Sequence, residues 1–150
     1  MLAAVPALAF AAGTPAKPAA DAQPPSAVED FGYPNADKIL EEKKIKLIRG
    51  DGHLLLAECG SSPQQIKVWT RGGGDFCFQA TAKTAFLTME VPKVFALETA
   101  SRPISADLTA GSKKETVKVS KEDPRQNGYQ SVGEGVRGAT STLVELRVTG

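Results

Sequence analysis

The chain has 150 residues, enough for one domain with a real core and too few for two of ordinary size. Apolar residues make up 41% and charged residues 23%, a globular balance, and 18 Lys plus Arg stand against 17 Asp plus Glu. A net charge so near zero argues against a nucleic-acid-binding module, which needs surplus cations to neutralise phosphates, and no apolar run is long enough for a permanent membrane span.

Residues 1–12, MLAAVPALAFAA, read as the remnant of a secretory signal peptide. Ala9-Phe10-Ala11 supplies the small-x-small pattern that signal peptidase accepts. The positively charged leader that normally precedes such a run is missing, so the true start is expected upstream. Residues 13–30, GTPAKPAADAQPPSAVED, form a Pro/Ala-rich flexible linker, because proline removes backbone donors and few large side chains are present to order it. No cysteine follows the apolar run, so lipid attachment there is not supported. Residues 31–150 then form a single domain.

That domain opens with one short helix in YPNADKILEEKK, capped by Asn35 or Asp37, with Lys43 and Lys44 at its C-terminal end. Beyond it the apolar period switches to two. The segments 45–48, 53–59, 65–70, 75–81, 85–91, 94–98, 104–109, 115–120, 129–132 and 142–149 are short, rich in β-branched or aromatic residues, and separated by Gly, Ser, Pro or Asp. Val144, Leu146 and Val148 should face one way and Glu145 and Arg147 the other; Leu87, Met89 and Val91 should oppose Phe86, Thr88 and Glu90. Eight to ten strands at hairpin spacing give a mainly all-β fold, an antiparallel β-sandwich or jelly roll with one short N-terminal helix.

Asp51-Gly52 between two apolar runs is a hairpin signal, since a type I′ turn needs positive φ at both central residues. Such a hairpin places Ile45, Leu47, Leu54 and Leu56 on one face, with Gly50 opposite His53. The same stretch spells Arg49-Gly50-Asp51, an adhesion triplet, but the turn accounts for Gly50 and Asp51 without any receptor. Cys59 and Cys77 are expected to form one disulfide in an exported chain, contributing about 3 kcal/mol by the chain-entropy estimate. With a single histidine and no C-x-x-C, they fall short of a zinc or redox site.

A search for chemistry finds no catalytic constellation. His53, the only histidine, sits beside a turn and is expected to be exposed. No nucleophile elbow occurs. Asp51, Glu58, Asp75, Glu90 and Glu145 are available to pair for glycoside hydrolysis, but the sequence does not give their separation in space. Asp51, Asp75, Asp107 and Asp123 could contribute to calcium, but no D-x-D-x-D-G spacing occurs. GEGVRG (133–138) fits the dinucleotide fingerprint, yet the residues after it read as a strand rather than a helix. No catalytic residue, metal or cofactor is therefore assigned. Trp69 is the most informative side chain: Ile66, Val68 and Thr70 alternate against Lys67, Trp69 and Arg71, which puts the indole on an outer face beside two cations. Trp69, Lys67 and Arg71 are thus the candidate ligand-binding residues, and Phe86 is a second outward aromatic. The other reading has Trp69 covering an open edge of the core beneath the 35–44 helix.

The run DKILEEKKIKLIRGDGHLLLAEC, followed by IKVWT, FCF, FLTMEVPKVFAL and the C-terminal VGEG…TLVELRVT, resembles small, uncharacterised secreted proteins of actinobacteria over roughly residues 33–150. The resemblance implies export and a β-rich fold and carries over no catalytic residues. The expected function is a secreted, non-catalytic binding or accessory domain acting on an extracellular polysaccharide, a cell-wall polymer or a protein partner. The alternatives are a protease inhibitor presenting RGGGD (71–75) or the irregular 121–138 stretch as its loop, and a small extracellular hydrolase dependent on His53.

Overall fold

A computed structural model describes residues 31–132 and 140–150. The signal and linker readings for 1–30, and the glycine-rich 133–138 motif, lie outside the described residues. The chain is mainly antiparallel β with one short helix, as its period-two pattern implies. The elements are α1 (Ala36–Lys43), β1 (Lys46–Gly50), β2 (Leu54–Ala57), β3 (Gln65–Thr70), β4 (Asp75–Ala80), β5 (Thr84–Thr99), β6 (Ile104–Ala110), β7 (Lys113–Val119), β8 (Tyr129–Ser131) and β9 (Ser141–Thr149). The eight-residue α1 is too short to cross a membrane, and no other helix occurs among the described residues.

The strands run β2-β4-β3-β5-β9-β6-β7 across one hydrogen-bonded sheet, with β1 and β8 also pairing to β5. Two segments that read as separate strands, 85–91 and 94–98, are one 16-residue strand bent at Pro92-Lys93. Lys93 has a φ of 59°, and the pairing with β9 skips from Val91 to Val94. The bend is also where β5 changes partner. Residues 87–90 pair with β1, while 94–99 pair with β3. Pro92, which has no N–H to give, falls in the gap between the two neighbours, where a proline is tolerated in a strand.

Inward-facing residues from both halves of β5 and from their neighbours form one apolar cluster, including Leu47, Val68, Phe78, Leu87, Leu97, Leu108 and Leu146. Helix α1 fully buries none of its residues and rests only Ile39 against the cluster, with Tyr33 beside it, so it covers little of this face. The sheet buries its apolar side against itself, which is the logic of a sandwich. Alternation places most of the core as expected: Leu87, Met89 and Val91 are buried while Phe86, Thr88 and Glu90 look outward. It fails at Val144, because β9 carries an irregularity between Leu143 and Glu145 against both neighbours. Leu143 therefore points inward and Val144 is only half-buried.

The expected hairpin at Asp51-Gly52 does not form. β1 pairs with β5 and β2 with β4, so the strands on either side of that corner are not partners. Gly52 alone has positive φ, at 81°, and the Asp51 carboxylate accepts the His53 N–H at 3.1 Å, closing a local Asx turn instead. Ile45, Leu47 and Leu54 are still buried, because both strands face the common interior, and Leu56 is half-buried. The Arg-Gly-Asp triplet is spread over a strand end and this corner. The pattern of the helix start also differs: Asn35 is left-handed, with a φ of 58°, and its side chain makes no capping bond.

Gly50 has a specific packing reason. A Cβ there would lie 2.6 Å from the Phe86 carbonyl oxygen and 3.2 Å from a Leu87 methyl. Gly50→Ala should therefore destabilise the fold by about 1–3 kcal/mol, as overpacking does, measured as a lower denaturant midpoint. An unchanged midpoint would mean the β1–β5 contact is looser than described.

Cys59, in the turn after β2, is bonded to Cys77 in β4, with Cα atoms 5.1 Å apart. The bridge ties down the short edge strand β2, whose Leu56 N–H is also satisfied by the Tyr33 hydroxyl at 2.8 Å. Reduction should cost about 3 kcal/mol and lower amide-exchange protection in 54–57 before the rest of the sheet. Equal loss across all strands would show that β2 opens only with global unfolding.

Candidate functional site

Three of the sequence-predicted residues meet on the outer face of β3 and its neighbours. Ile66, Val68 and Thr70 are buried, so Lys67 and Trp69 emerge on the opposite side of β3, both half-buried. Arg71, just past the strand, is exposed. Register explains what they touch. Trp69 lies opposite Asp75 on β4 and Ala96 on β5, and Lys67 lies opposite Glu98 on β5. Ala96, fully buried opposite Trp69, presents only a methyl group on that face. The reading in which Trp69 closes the core under the helix is not what the structure shows: its polar and ring contacts come from β3 and β5.

The indole is held on several sides. Its N–H donates to Glu98 Oε2 at 3.1 Å, and the Lys67 ammonium lies 3.8 Å from the ring centroid. Lys67 is positioned in turn by the Asp75 carboxylate at 3.4 Å. The pairing of β3 and β5 is irregular between Trp69 and Thr70, which turns Phe95 to the same face, its ring 6.3 Å from the indole and tilted by 50°. The Arg71 guanidinium stands 5.4 Å over Phe95, giving a second cation–aromatic stack beside the first. Tyr129, 42% exposed, lies opposite Glu98 from the β8 side and extends the row. The site is therefore an aromatic strip of Trp69, Phe95 and Tyr129 overlaid with two cations and lined by two carboxylates.

Sequence reading missed Phe95, Glu98 and Tyr129. Their contribution depends on β3 and β8 flanking the same half of β5 and on an irregular residue in the pairing, and no local pattern announces either. Phe86 does face outward, with the Arg147 guanidinium 5.5 Å over its ring.

The remaining candidates are dispersed. His53 is exposed, with Nδ1 3.2 Å from the Thr81 hydroxyl and its carbonyl accepting the Thr81 N–H at 2.8 Å. The four aspartates considered for calcium have separate partners: Asp51 binds the His53 N–H, Asp75 binds Lys67, Asp107 accepts the Thr116 hydroxyl and Asp123 accepts the Arg125 N–H. Glu145 is paired with Arg147. Among the described residues, no three metal-ligating side chains gather.

Residues 121–132 are more regular than their sequence suggests. Asn127 and Gly128 both have positive φ, and the Tyr129 N–H bonds the Gln126 carbonyl at 2.9 Å, so Gln126–Tyr129 is a type I′ turn. The Asn-Gly dipeptide was the available signal for it. Arg125 sits in a preceding tight turn, its N–H held by Asp123 at 2.9 Å. RGGGD is a compact β3–β4 connection, closed by the Thr70 hydroxyl on the Gly74 carbonyl. An open depression of about 450 Å³ lies between the ends of β6 and β7 and this loop, but Gln126 and Asp123 there are engaged in the loop's own hydrogen bonds.

Among known proteins, no family model matches the sequence and no curated protein matches it significantly. The Trp69 face stands on its own geometry.

Because the indole is half-buried rather than core, Trp69→Ala should cost about 1–2 kcal/mol, below the ~3–5 kcal/mol of a core aromatic truncation. Far-UV circular dichroism is the readout, since the chain has one tryptophan and its fluorescence is lost with the substitution. A loss at the core level would show that the ring supports the interior.

Proposed function

We propose that the chain is an exported, non-catalytic binding domain whose contact face is the outer surface of β3, β5 and β8. Export is supported by the apolar N-terminal run and by a disulfide, which persists in oxidising compartments. The observation that carries the binding reading is the strip of Trp69, Phe95 and Tyr129, kept out of the core and overlaid by Lys67 and Arg71. Aromatic and arginine side chains gathered on an outer face are the residues that dominate recognition.

The placement of Lys67 narrows the ligand. Its ammonium already occupies one face of the indole, so an uncharged sugar must displace it before stacking. A polymer bearing acidic groups meets Lys67 and Arg71 directly and lays its apolar portions along the rings. An anionic cell-wall polymer fits this face better than a neutral polysaccharide.

The test is co-sedimentation of the folded protein with purified cell wall, with wall stripped of its anionic polymers, and with neutral insoluble polysaccharides. Retention on intact wall should fall about tenfold in Trp69→Ala and also fall in Lys67→Ala, and should weaken with salt. If Lys67→Ala instead binds neutral polysaccharide more tightly, the ligand is an uncharged glycan stacked on the uncovered indole. Retention on no polymer would remove the reading.

A further inference from the structure

The sheet ends at β7, and among the described residues no strand pairs with the outer edge of this strand. The hydrogen-bonding phase of that edge follows from the hairpin. β6 and β7 are joined by the two residues Gly111 and Ser112, with Ala110 opposite Lys113 and Gly111 at a φ of 63°. In a two-residue hairpin the closing pair exchanges its backbone hydrogen bonds, so the odd-numbered residues of β7 bond to β6. The even-numbered residues, Lys114, Thr116 and Lys118, turn their N–H and C=O groups away from it.

The Gln126 side chain confirms this phase. Its amide donates to the Lys118 carbonyl at 2.7 Å and accepts from the Ser120 N–H at 2.9 Å, the two bonds a neighbouring strand would make. Gln126 thus occupies the edge at 118–120 in the manner of a peptide group and ends it there. Among the described residues, nothing bonds the edge from 114 to the Lys118 N–H. Lys113 to Thr116 are exposed on both faces, because the hairpin tip projects past the core.

Charge decides what can pair with it. Lys114 and Lys118 share the outer face with Thr116, four residues apart. A second copy pairing antiparallel about Thr116 would set each Lys114 against the other copy's Lys118, a like-charge contact that disfavours self-association. An acidic strand meets the opposite situation.

We infer that the β7 edge is a docking site for an extended acidic segment of a partner protein, which adds to the sheet as a further strand. Its carboxylates lie four residues apart, opposite Lys114 and Lys118, with a small or β-branched residue opposite Thr116. The alternate positions face Glu115 and the half-buried Val117, where apolar side chains fit. Backbone pairing supplies the attachment and the two lysines supply selectivity. This surface is separate from the Trp69 strip and does not depend on its function.

The experiment titrates the full chain with acetylated, amidated peptides, Glu-Val-Thr-Val-Glu against Lys-Val-Thr-Val-Lys, at low salt by calorimetry. The acidic peptide should bind at least about tenfold more tightly than the basic one. Thr116→Pro deletes an outward N–H and, although it also loses the Thr116 hydroxyl's bond to Asp107, keeps the backbone ladder to β6, so it should abolish binding while the circular dichroism spectrum is retained. The double variant Lys114→Glu/Lys118→Glu should reverse the peptide preference. No preference for the acidic peptide up to about 1 mM, or binding that survives in a folded Thr116→Pro chain, overturns the proposal. Should that variant not fold, the charge-reversed variant decides: an unchanged preference for the acidic peptide overturns it and a reversed preference upholds it.

Discussion

A sheet whose apolar face is larger than one short helix can cover must largely cover itself, and β5 is the element that makes this happen. It runs through both halves of the structure, carrying β1 and β9 before Pro92 and β3 and β8 after Lys93. The bend between the halves brings two sets of inward residues into one cluster. Only β1, β3, β8 and β9 join β5 directly; β4 and β2 continue outward from β3, and β6 and β7 from β9. Two features secure the assembly: the close approach of β1, which only Gly50 permits, and the disulfide that holds β2 to β4.

The same bend creates the outer surface. Past Lys93, β5 is flanked by β3 and β8, so Trp69, Glu98 and Tyr129 come from three strands onto one row. The irregular pairing at Thr70 adds Phe95. The indole and the cations of the row are already partnered: indole with Glu98, Lys67 with Asp75, cations with rings. Such a face is ordered before any ligand arrives, which lowers the entropy lost on binding. It also offers a ligand charges that must be exchanged rather than simply added.

The two ends of the sheet are finished differently. The β2 edge is short, bridged by the disulfide and covered at Leu56 by the Tyr33 hydroxyl. The β7 edge is longer, projects from the core and, among the described residues, is closed at its far end by Gln126 and the Gly128 N–H. Lysines along such an edge suppress pairing between copies. They leave it receptive to a strand of opposite charge.

Strand existence, the identity of most inward residues and the Cys59–Cys77 pairing were legible from the sequence, because alternation and cysteine count are local properties that a half-buried strand must satisfy whatever its neighbour. The outward position of Trp69 was legible for the same reason. Partner choice was not. Asp51-Gly52 has the composition of a hairpin turn, yet its flanking strands pair elsewhere, since the β1–β5 and β2–β4 contacts win over a local ladder. Val144 obeys alternation in sequence and escapes it in the fold because of an irregularity defined only by the strands on either side. Phe95, Glu98 and Tyr129 join Trp69 only once β5 has bent and gathered three strands. The sequence by itself determined the class of structure and the face of each strand, through side-chain period and the cost of exposing apolar surface. The tertiary structure alone decided which strands meet, because pairing is settled by burial summed over the whole sheet rather than by any one segment.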